Sequence, residues 1–309
     1  MDEIFDVIIL GAGPAGLSAG IYTSRARLKT LILNEGTTGG QVILTHEIAN
    51  YPGVETIPGY QLINTMKKQA KSFGCKIKAN LNITNINLNN DIKEIEVNSK
   101  DTYKAKSVII TTGGKPRSLG IKGEDEFKGK GVSYCATCDG DFYTDKEIVV
   151  IGGGNSALEE ADSLTKYASK VTIIHQFDHF QATQYYVDKA KANPKINFIM
   201  ESEPREILGG QSVNKIKIEN LKSGEFSEIV IDGVFIFVGY VPGTDKFKNL
   251  IELTDRNEIV TDTEMKTSVN GVFAAGDCIK KRFKQVSTAV GDATVAALSS
   301  IEYINNSIN

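Results

Sequence analysis

Asp6-Val7-Ile8-Ile9-Leu10 runs without a break into Gly11-Ala12-Gly13-Pro14-Ala15-Gly16. The first five residues are almost wholly apolar and branched, as in a strand buried on both faces. The glycines follow in the pattern Gly-x-Gly-x-x-Gly, and each has its own physical task. Gly11 permits the tight turn out of the strand. Gly13 lets the backbone approach a pyrophosphate, and Gly16 lets helix pack closely on strand. A helical pattern from about Leu17 to Arg27 and a strand from Thr30 to Leu33 complete a β–turn–α–β unit. Backbone N–H groups and the positive end of the helix dipole then face the bound phosphates. The ribose partner belongs at the end of the second strand, where Asn34 and Glu35 stand. The sequence alone does not choose between them.

The unit occurs twice. Glu147 to Ile151 is a second buried strand, followed by Gly152-Gly153-Gly154-Asn155-Ser156-Ala157, a helix from about Ser156 to Tyr167 and a strand from Lys170 to Ile174. Two more strands end in glycine turns, Val108-Ile109-Ile110-Thr111-Thr112-Gly113 and Gly271-Val272-Phe273-Ala274-Ala275-Gly276-Asp277. The 309 residues suit two domains. The expected fold is α/β, with two Rossmann-like nucleotide-binding domains and the second inserted into the first. The chain crosses between them near Gly113 to Pro116 and Val241 to Thr244, where glycine and proline gather.

A net charge of -3 argues against nonspecific nucleic-acid binding. No apolar run reaches the roughly 20 residues of a membrane span. The acidic start Met1-Asp2-Glu3 does not read as a secretory signal, so a cytoplasmic location is expected.

Four cysteines are too few for a disulfide scaffold: Cys75, Cys135, Cys138 and Cys278. Tyr134-Cys135-Ala136-Thr137-Cys138-Asp139-Gly140 holds the only close pair. A Cys-x-x-Cys spacing allows a small disulfide ring and commonly lowers one thiol's pKa. Structural zinc would need four ligands, and there is no second such pair. Redox chemistry is the stronger expectation, and no metal is expected. Asp139 is placed to protonate a leaving thiolate, although a turn residue before Gly140 is the plainer alternative. Cys75 and Cys278 read as inert, small apolar residues.

Taken in order, these segments resemble the low-molecular-weight bacterial thioredoxin reductases over nearly the whole chain. The matching stretches are Gly11 to Gly16, Gly39-Gly40-Gln41, Asn50-Tyr51-Pro52-Gly53, Thr112-Gly113, Gly131 to Gly140, Gly152 to Ala157, and Gly271 to Asp277 continuing to Gln285-Val286. The resemblance implies a fold of the FAD/NAD(P)-linked disulfide reductase type. Residues 1–113 and 245–309 would bind FAD, and residues 114–244 would form a central domain carrying the cysteine pair. FAD would be held by Gly11, Gly13, Pro14, Ala15, Gly16, Asn34, Glu35, Gly40, Gln41, Asn50, Thr112, Gly113, Gly276, Asp277, Lys284, Gln285 and Val286. Cys138 would exchange electrons with the flavin, Cys135 would attack the disulfide of thioredoxin, and the chain would form a homodimer.

One stretch departs from the family. Members that use NADPH carry His-Arg-Arg and a further arginine where this chain has His175-Gln176-Phe177-Asp178-His179-Phe180-Gln181. Arginine grips a 2′-phosphate with paired, charge-assisted hydrogen bonds. All three arginine positions are lost, to Gln176, Phe177 and Gln181, and Asp178 adds negative charge. The Gly152–Gly154 loop then reads as a structural turn. The expected electron donor is reduced ferredoxin, as in the family's ferredoxin-dependent branch, with NADPH or NADH at an atypical site as the alternative. Lys280-Lys281-Arg282-Phe283-Lys284 is the densest basic run and the candidate docking patch for an acidic ferredoxin. Lys284 also stands where the family commonly has an arginine.

Overall fold

The computed structural model describes residues 3–44, 48 and 50–306, without the side chains of Leu44, Thr137, Cys138 and Tyr240. The chain forms two compact units, residues 1–115 with 242–309, and residues 116–241.

The first unit begins with β1 (Ile4–Leu10), α1 (Pro14–Arg25), β2 (Thr30–Leu33), α2 (Gly59–Ser72), β3 (Lys76–Lys78), β4 (Ile83–Asn87), β5 (Lys93–Val97) and β6 (Asp101–Ile110). The sheet order is β3-β2-β1-β6-β5-β4. Strands β3, β2, β1 and β6 are parallel, while β5 and β4 extend the sheet antiparallel. Val7, Ile8, Ile9 and Leu10 are fully buried, as their unbroken apolar run requires. Strand β1 lies between β2 and β6, so the loop after it opens at the point where the strand order reverses. That is where open α/β sheets bind ligands.

The chain leaves through β7 (Gly114–Pro116) and builds the second unit from β8 (Val132–Ser133), α3 (Ala136–Asp139), β9 (Glu147–Ile151), α4 (Asn155–Leu164), β10 (Lys170–Ile174), α5 (Gln184–Ala192), β11 (Ile196–Ile199), β12 (Ser202–Gly209), β13 (Val213–Asn220), β14 (Phe226–Val230) and β15 (Gly233–Ile236). A parallel sheet runs β11-β10-β9-β15-β8, and β12-β13-β14 form an antiparallel one. The chain returns through β16 (Tyr240–Pro242), which pairs with β7. It then adds β17 (Val272–Ala274) beside β6 and ends in α6 (Val286–Asn306). Among the described residues, no helix is long and apolar enough to cross a membrane.

Candidate active site

The two glycine loops use one device. Gly11 has φ +110° and Gly152 φ +135°, values that L side chains rarely adopt. A Cβ on Gly11 would stand 2.4 Å from the Thr111 carbonyl oxygen, and one on Gly152 would stand 2.3 Å from that of Phe237. Gly13 and Gly154 are the extended N-caps of α1 and α4, with open space where a Cβ would point. Gly16 is closed instead: its Cβ would fall 1.9 Å from the Gly11 carbonyl oxygen. Ala157 occupies the matching position of the second loop and is buried.

A cavity of about 310 Å³ opens at the first loop, lined within the first unit by the loops after β1, β2 and β6, the start of α1, Ile83 of β4 and the start of α6. It gathers Gly11, Gly13, Pro14, Ala15, Asn34, Glu35, Gly40, Gln41, Thr112, Gly113, Asp277, Gln285 and Val286. Four other expected residues stand outside its lining. Gly16 packs under the loop, and Gly276 faces Ala15 and Ala289. The Asn50 amide donates to Gln285 Oε1 at 3.3 Å. Lys284 Nζ donates to Glu258 Oε1 at 2.8 Å. The cavity also takes in Thr111, Gly36, Ile83 and Gly243, which sequence reasoning missed. Thr111 hydroxyl reaches the carbonyls of Leu10 and Gly11, both at 3.0 Å. The threonine at the end of β6 was the available signal.

Asn34 and Glu35 have separate tasks. Asn34 Oδ1 accepts the Ala12 N–H at 2.9 Å, and its amide turns to the Gly36 and Thr37 carbonyls, so it braces the glycine loop. Glu35 Oε1 accepts the Ile83 N–H at 3.1 Å and pairs with Lys246. Asp277 Oδ1 is buried without a hydrogen-bond partner, and Lys281 Nζ is 3.5 Å away. Burial raises the Asp277 carboxyl above its usual range, against the pull of Lys281 and Lys284. The Lys281 ion pair compensates its charge but leaves it without a hydrogen bond, so a ligand hydroxyl there would be a favourable partner. Open space above Gly13, amides at the start of a 12-residue helix and this carboxylate oxygen that accepts no hydrogen bond fit a dinucleotide such as FAD.

The Tyr134–Gly140 segment, expected to carry the redox chemistry, lies in the second unit. Cys135 is disulfide-bonded, while Cys75 and Cys278 are buried thiols. Burial pushes the Cys75 thiol up to about 11, away from reactivity at neutral pH, and Cys278 is raised in the same sense. The side chain of Cys138 lies outside the described atoms. Asp139 closes the one-turn helix α3 and accepts a hydrogen bond from the Ser133 hydroxyl at 2.6 Å. Tyr134 hydroxyl donates to Glu124, a buried carboxylate that also takes the Leu119 and Gly120 N–H groups at 3.0 and 2.7 Å. Burial and Glu124 hold the Tyr134 phenol well above its usual range. Neither Ser133 nor Glu124 was singled out from sequence. Phe142, four positions beyond Cys138, is 68% exposed.

At the second glycine loop, a Cβ on Gly153 would stand 2.5 Å from the His175 ring, so the imidazole fills the space above that glycine. His175 is buried, its Nε2 has no partner, and desolvation lowers its pKa, which favours the neutral ring. Gln181 N–H donates to the Gly153 carbonyl at 2.8 Å and Thr183 N–H to Asn155 Oδ1 at 2.7 Å, tying the 181–183 segment behind the loop. Gln176, Phe177, Asp178 and Gln181 are exposed, and Asp178 pairs with His179 at 2.6 Å.

The basic run is thinner in space than in sequence. Lys281 is nearly buried and donates to Asp292 at 2.7 Å, and Lys284 is held by Glu258. Arg282 stacks on Phe283 at 5.0 Å. Lys280 and Arg282 are left as the outward cations of the patch.

Two Rossmann-like units, one with a dinucleotide cavity and the other with a cysteine disulfide beside a carboxylate, define a dinucleotide-linked disulfide oxidoreductase. The family model described as pyridine nucleotide-disulphide oxidoreductase matches residues 5–293. The thioredoxin reductase of Peptoclostridium acidaminophilum is 45% identical, with 98% of each chain covered. The structure of Lactococcus lactis thioredoxin reductase is 41% identical, covering 98% of this chain and 99% of that one, with a TM-score of 0.94. A ferredoxin-flavin thioredoxin reductase from Clostridium acetobutylicum is 31% identical, covering 99% and 100%, with a TM-score of 0.52. The chain belongs to the pyridine nucleotide-disulphide oxidoreductases and, within them, to the thioredoxin reductases. It is a flavoprotein disulfide reductase whose cofactor is FAD.

Proposed function

We infer that this protein reduces the disulfide of thioredoxin through the Cys135–Cys138 pair. The observation that carries this is local: Cys135 is in a disulfide, and the Asp139 carboxylate is fixed by Ser133 within the same short segment. A thiolate attacks a disulfide sulfur, and the departing thiolate needs a proton. Cys135 supplies the first and Asp139 the second. The exposed Phe142 offers an apolar contact to a protein partner. FAD, when bound, accepts electrons from the donor and passes them to the disulfide. Gly11, Gly13, Pro14, Ala15 and Gly40 would surround its pyrophosphate, and Glu35 its ribose. Asp277 would accept a ribityl hydroxyl, and Gln41, Asn50, Thr112, Gly113, Gln285 and Val286 would border the ring. A homodimer in the cytoplasm is the assembly and setting that the resemblance implies.

The donor we favour is a reduced nicotinamide nucleotide at the Gly152–Asn155 turn. The family description and the 45% identity to a plain thioredoxin reductase support it over the ferredoxin donor expected from sequence. The exposed 176–181 turn holds no lysine or arginine and carries Asp178. A 2′-phosphate would meet a carboxylate instead of a guanidinium, so NADH is preferred to NADPH. Reduced ferredoxin is the second reading. The same arginine-free turn supports it, as do the outward Lys280 and Arg282, which would be its docking cations.

Anaerobic bleaching of the flavin tests the donor, with NADH, NADPH and reduced ferredoxin added separately. NADH is expected to bleach faster than NADPH. The double substitution Gln176→Arg with Phe177→Arg should swing that preference toward NADPH by about tenfold or more, since each charged hydrogen bond contributes roughly 1.5–3 kcal/mol. Bleaching by ferredoxin alone would transfer the donor role to a protein, and failure of oxidised thioredoxin to restore the flavin colour would sink the reductase reading.

A further inference from the structure

Ser133 ends β8 two residues before Cys135 and is 4% exposed. Its hydroxyl has three polar groups within reach. Asp139 Oδ2 is at 2.6 Å, the Cys135 backbone N–H donates to Oγ at 3.0 Å, and the Cys135 carbonyl lies at 3.3 Å. A hydroxyl carries one proton and two lone pairs. With Asp139 ionised, that proton goes to the carboxylate and Oγ accepts from the Cys135 N–H. With Asp139 protonated, the carboxyl donates to Oγ and the hydroxyl proton turns to the Cys135 carbonyl. That carbonyl already accepts the Asp139 N–H at 3.3 Å and has a second lone pair. Both protonation states are thus satisfied with every heavy atom in place.

We propose that Ser133 is a positioning residue for proton transfer, holding Asp139 in one place through both of its protonation states and tying it to the backbone of Cys135. This rests on the disulfide reductase reading. In the step concerned, the Cys135 thiolate attacks one sulfur of the partner disulfide. The partner's S–S bond breaks, a mixed disulfide forms, and the second partner sulfur leaves with the electron pair and takes the Asp139 proton, which turns about its C–O bond from Ser133 Oγ to the sulfur. Asp139 is then ionised, and the Ser133 proton swings from the Cys135 carbonyl to the carboxylate. A carboxylate free to rotate between these states would have to be repositioned in every turnover.

The test uses the flavin-loaded enzyme reduced anaerobically with dithionite, so that the physiological donor does not enter. Reoxidation is followed after rapid mixing with oxidised thioredoxin or with dithiobis(nitrobenzoate), whose acidic aromatic thiol leaves without needing a proton. In Ser133→Ala the ratio of the thioredoxin rate to the aromatic rate should fall about tenfold or more, a part of the roughly hundredfold or more that a positioned general acid contributes. Ser133→Thr, which keeps the hydroxyl, should restore the ratio to within about threefold, and adding Asp139→Asn to Ser133→Ala should lower it no further. Equal losses on both disulfides, or Ala and Thr variants that behave alike, would overturn the role of Ser133. A wild-type enzyme inert toward both disulfides would instead remove the reductase reading on which the proposal rests.

Discussion

Glu160 shows how a single carboxyl is set by its place on a helix. It lies on α4 among buried Ala157, Ala161 and Leu164, and burial, with Glu159 alongside, pushes it from an ordinary 4.5 up to about 7. Between those two values the folded chain holds a proton that the unfolded chain has lost. Stability therefore falls as pH rises through that window, and the full cost is present above it. Glu160→Gln removes the ionisation. It should stabilise the protein by about 1–3 kcal/mol at pH 8, scaling from roughly 1.4 kcal/mol per pKa unit, and by nothing at pH 4. Urea unfolding at both pH values checks this, and equal effects at the two would refute it. The expectation for Cys135 and Cys138 arises at this scale, because a two-residue gap between cysteines is itself a chemical signal. Ser133 and Glu124 were not legible. A serine or a glutamate acquires its meaning from the partner that the fold places beside it: here Asp139 at the end of α3 and Tyr134 in the loop before it.

The β–glycine turn–α elements were the most legible part of the chain. Strands at Thr30–Leu33, Glu147–Ile151 and Lys170–Ile174 stand where their apolar runs place them. Helix α1 differs at its start: its apolar periodicity begins at Leu17, but the helix begins at Pro14. The first helical positions have no intrahelical N–H bond to lose, so proline is at home there. Within the loop, glycine-to-alanine changes should separate folding from binding. Gly16→Ala drives a Cβ into the Gly11 carbonyl and should leave little folded protein. Gly13→Ala meets nothing within 4 Å and has φ -76°, so its thermal unfolding without flavin should match wild type. Its methyl would occupy the approach to the pyrophosphate, so FAD affinity should drop about tenfold or more, as expected when a charge-assisted contact is lost. Flavin retained on gel filtration measures it, and full retention would mean that the phosphates do not sit over Gly13.

At the scale of the whole molecule, the hydrophobic clusters respect the division into units. Two are built only from residues of the first unit and two only from residues of the second. The second unit is one continuous segment, whereas β17 and α6 must return to β6 and α1 before the first is complete. A fragment spanning 116–241 should therefore unfold cooperatively on its own. Residues 1–115 alone should not, lacking the strand beside β6 and the helix on α1. Urea denaturation followed by circular dichroism distinguishes them, and a cooperative 1–115 fragment would contradict the reliance on the chain's return.

By itself the sequence determined the repeated dinucleotide unit and the insertion of one unit within the other, and it supplied the Cys-x-x-Cys spacing on which the proposed redox role rests. Each of these is written in local spacing: apolar runs, glycines at fixed offsets and two cysteines three apart. The tertiary structure alone decided which polar groups are spent and which are left to act. It commits Asn34 to the glycine loop, Lys281 and Lys284 to internal carboxylates, and His175 to the space above Gly153. It leaves Asp277 Oδ1 with an ion pair to Lys281 but no hydrogen bond, and puts Ser133 between Cys135 and Asp139. The physical reason is that hydrogen bonds and ion pairs act over a few ångströms, so which groups meet, near or far in the chain, is set by the turn and strand geometry that folding imposes.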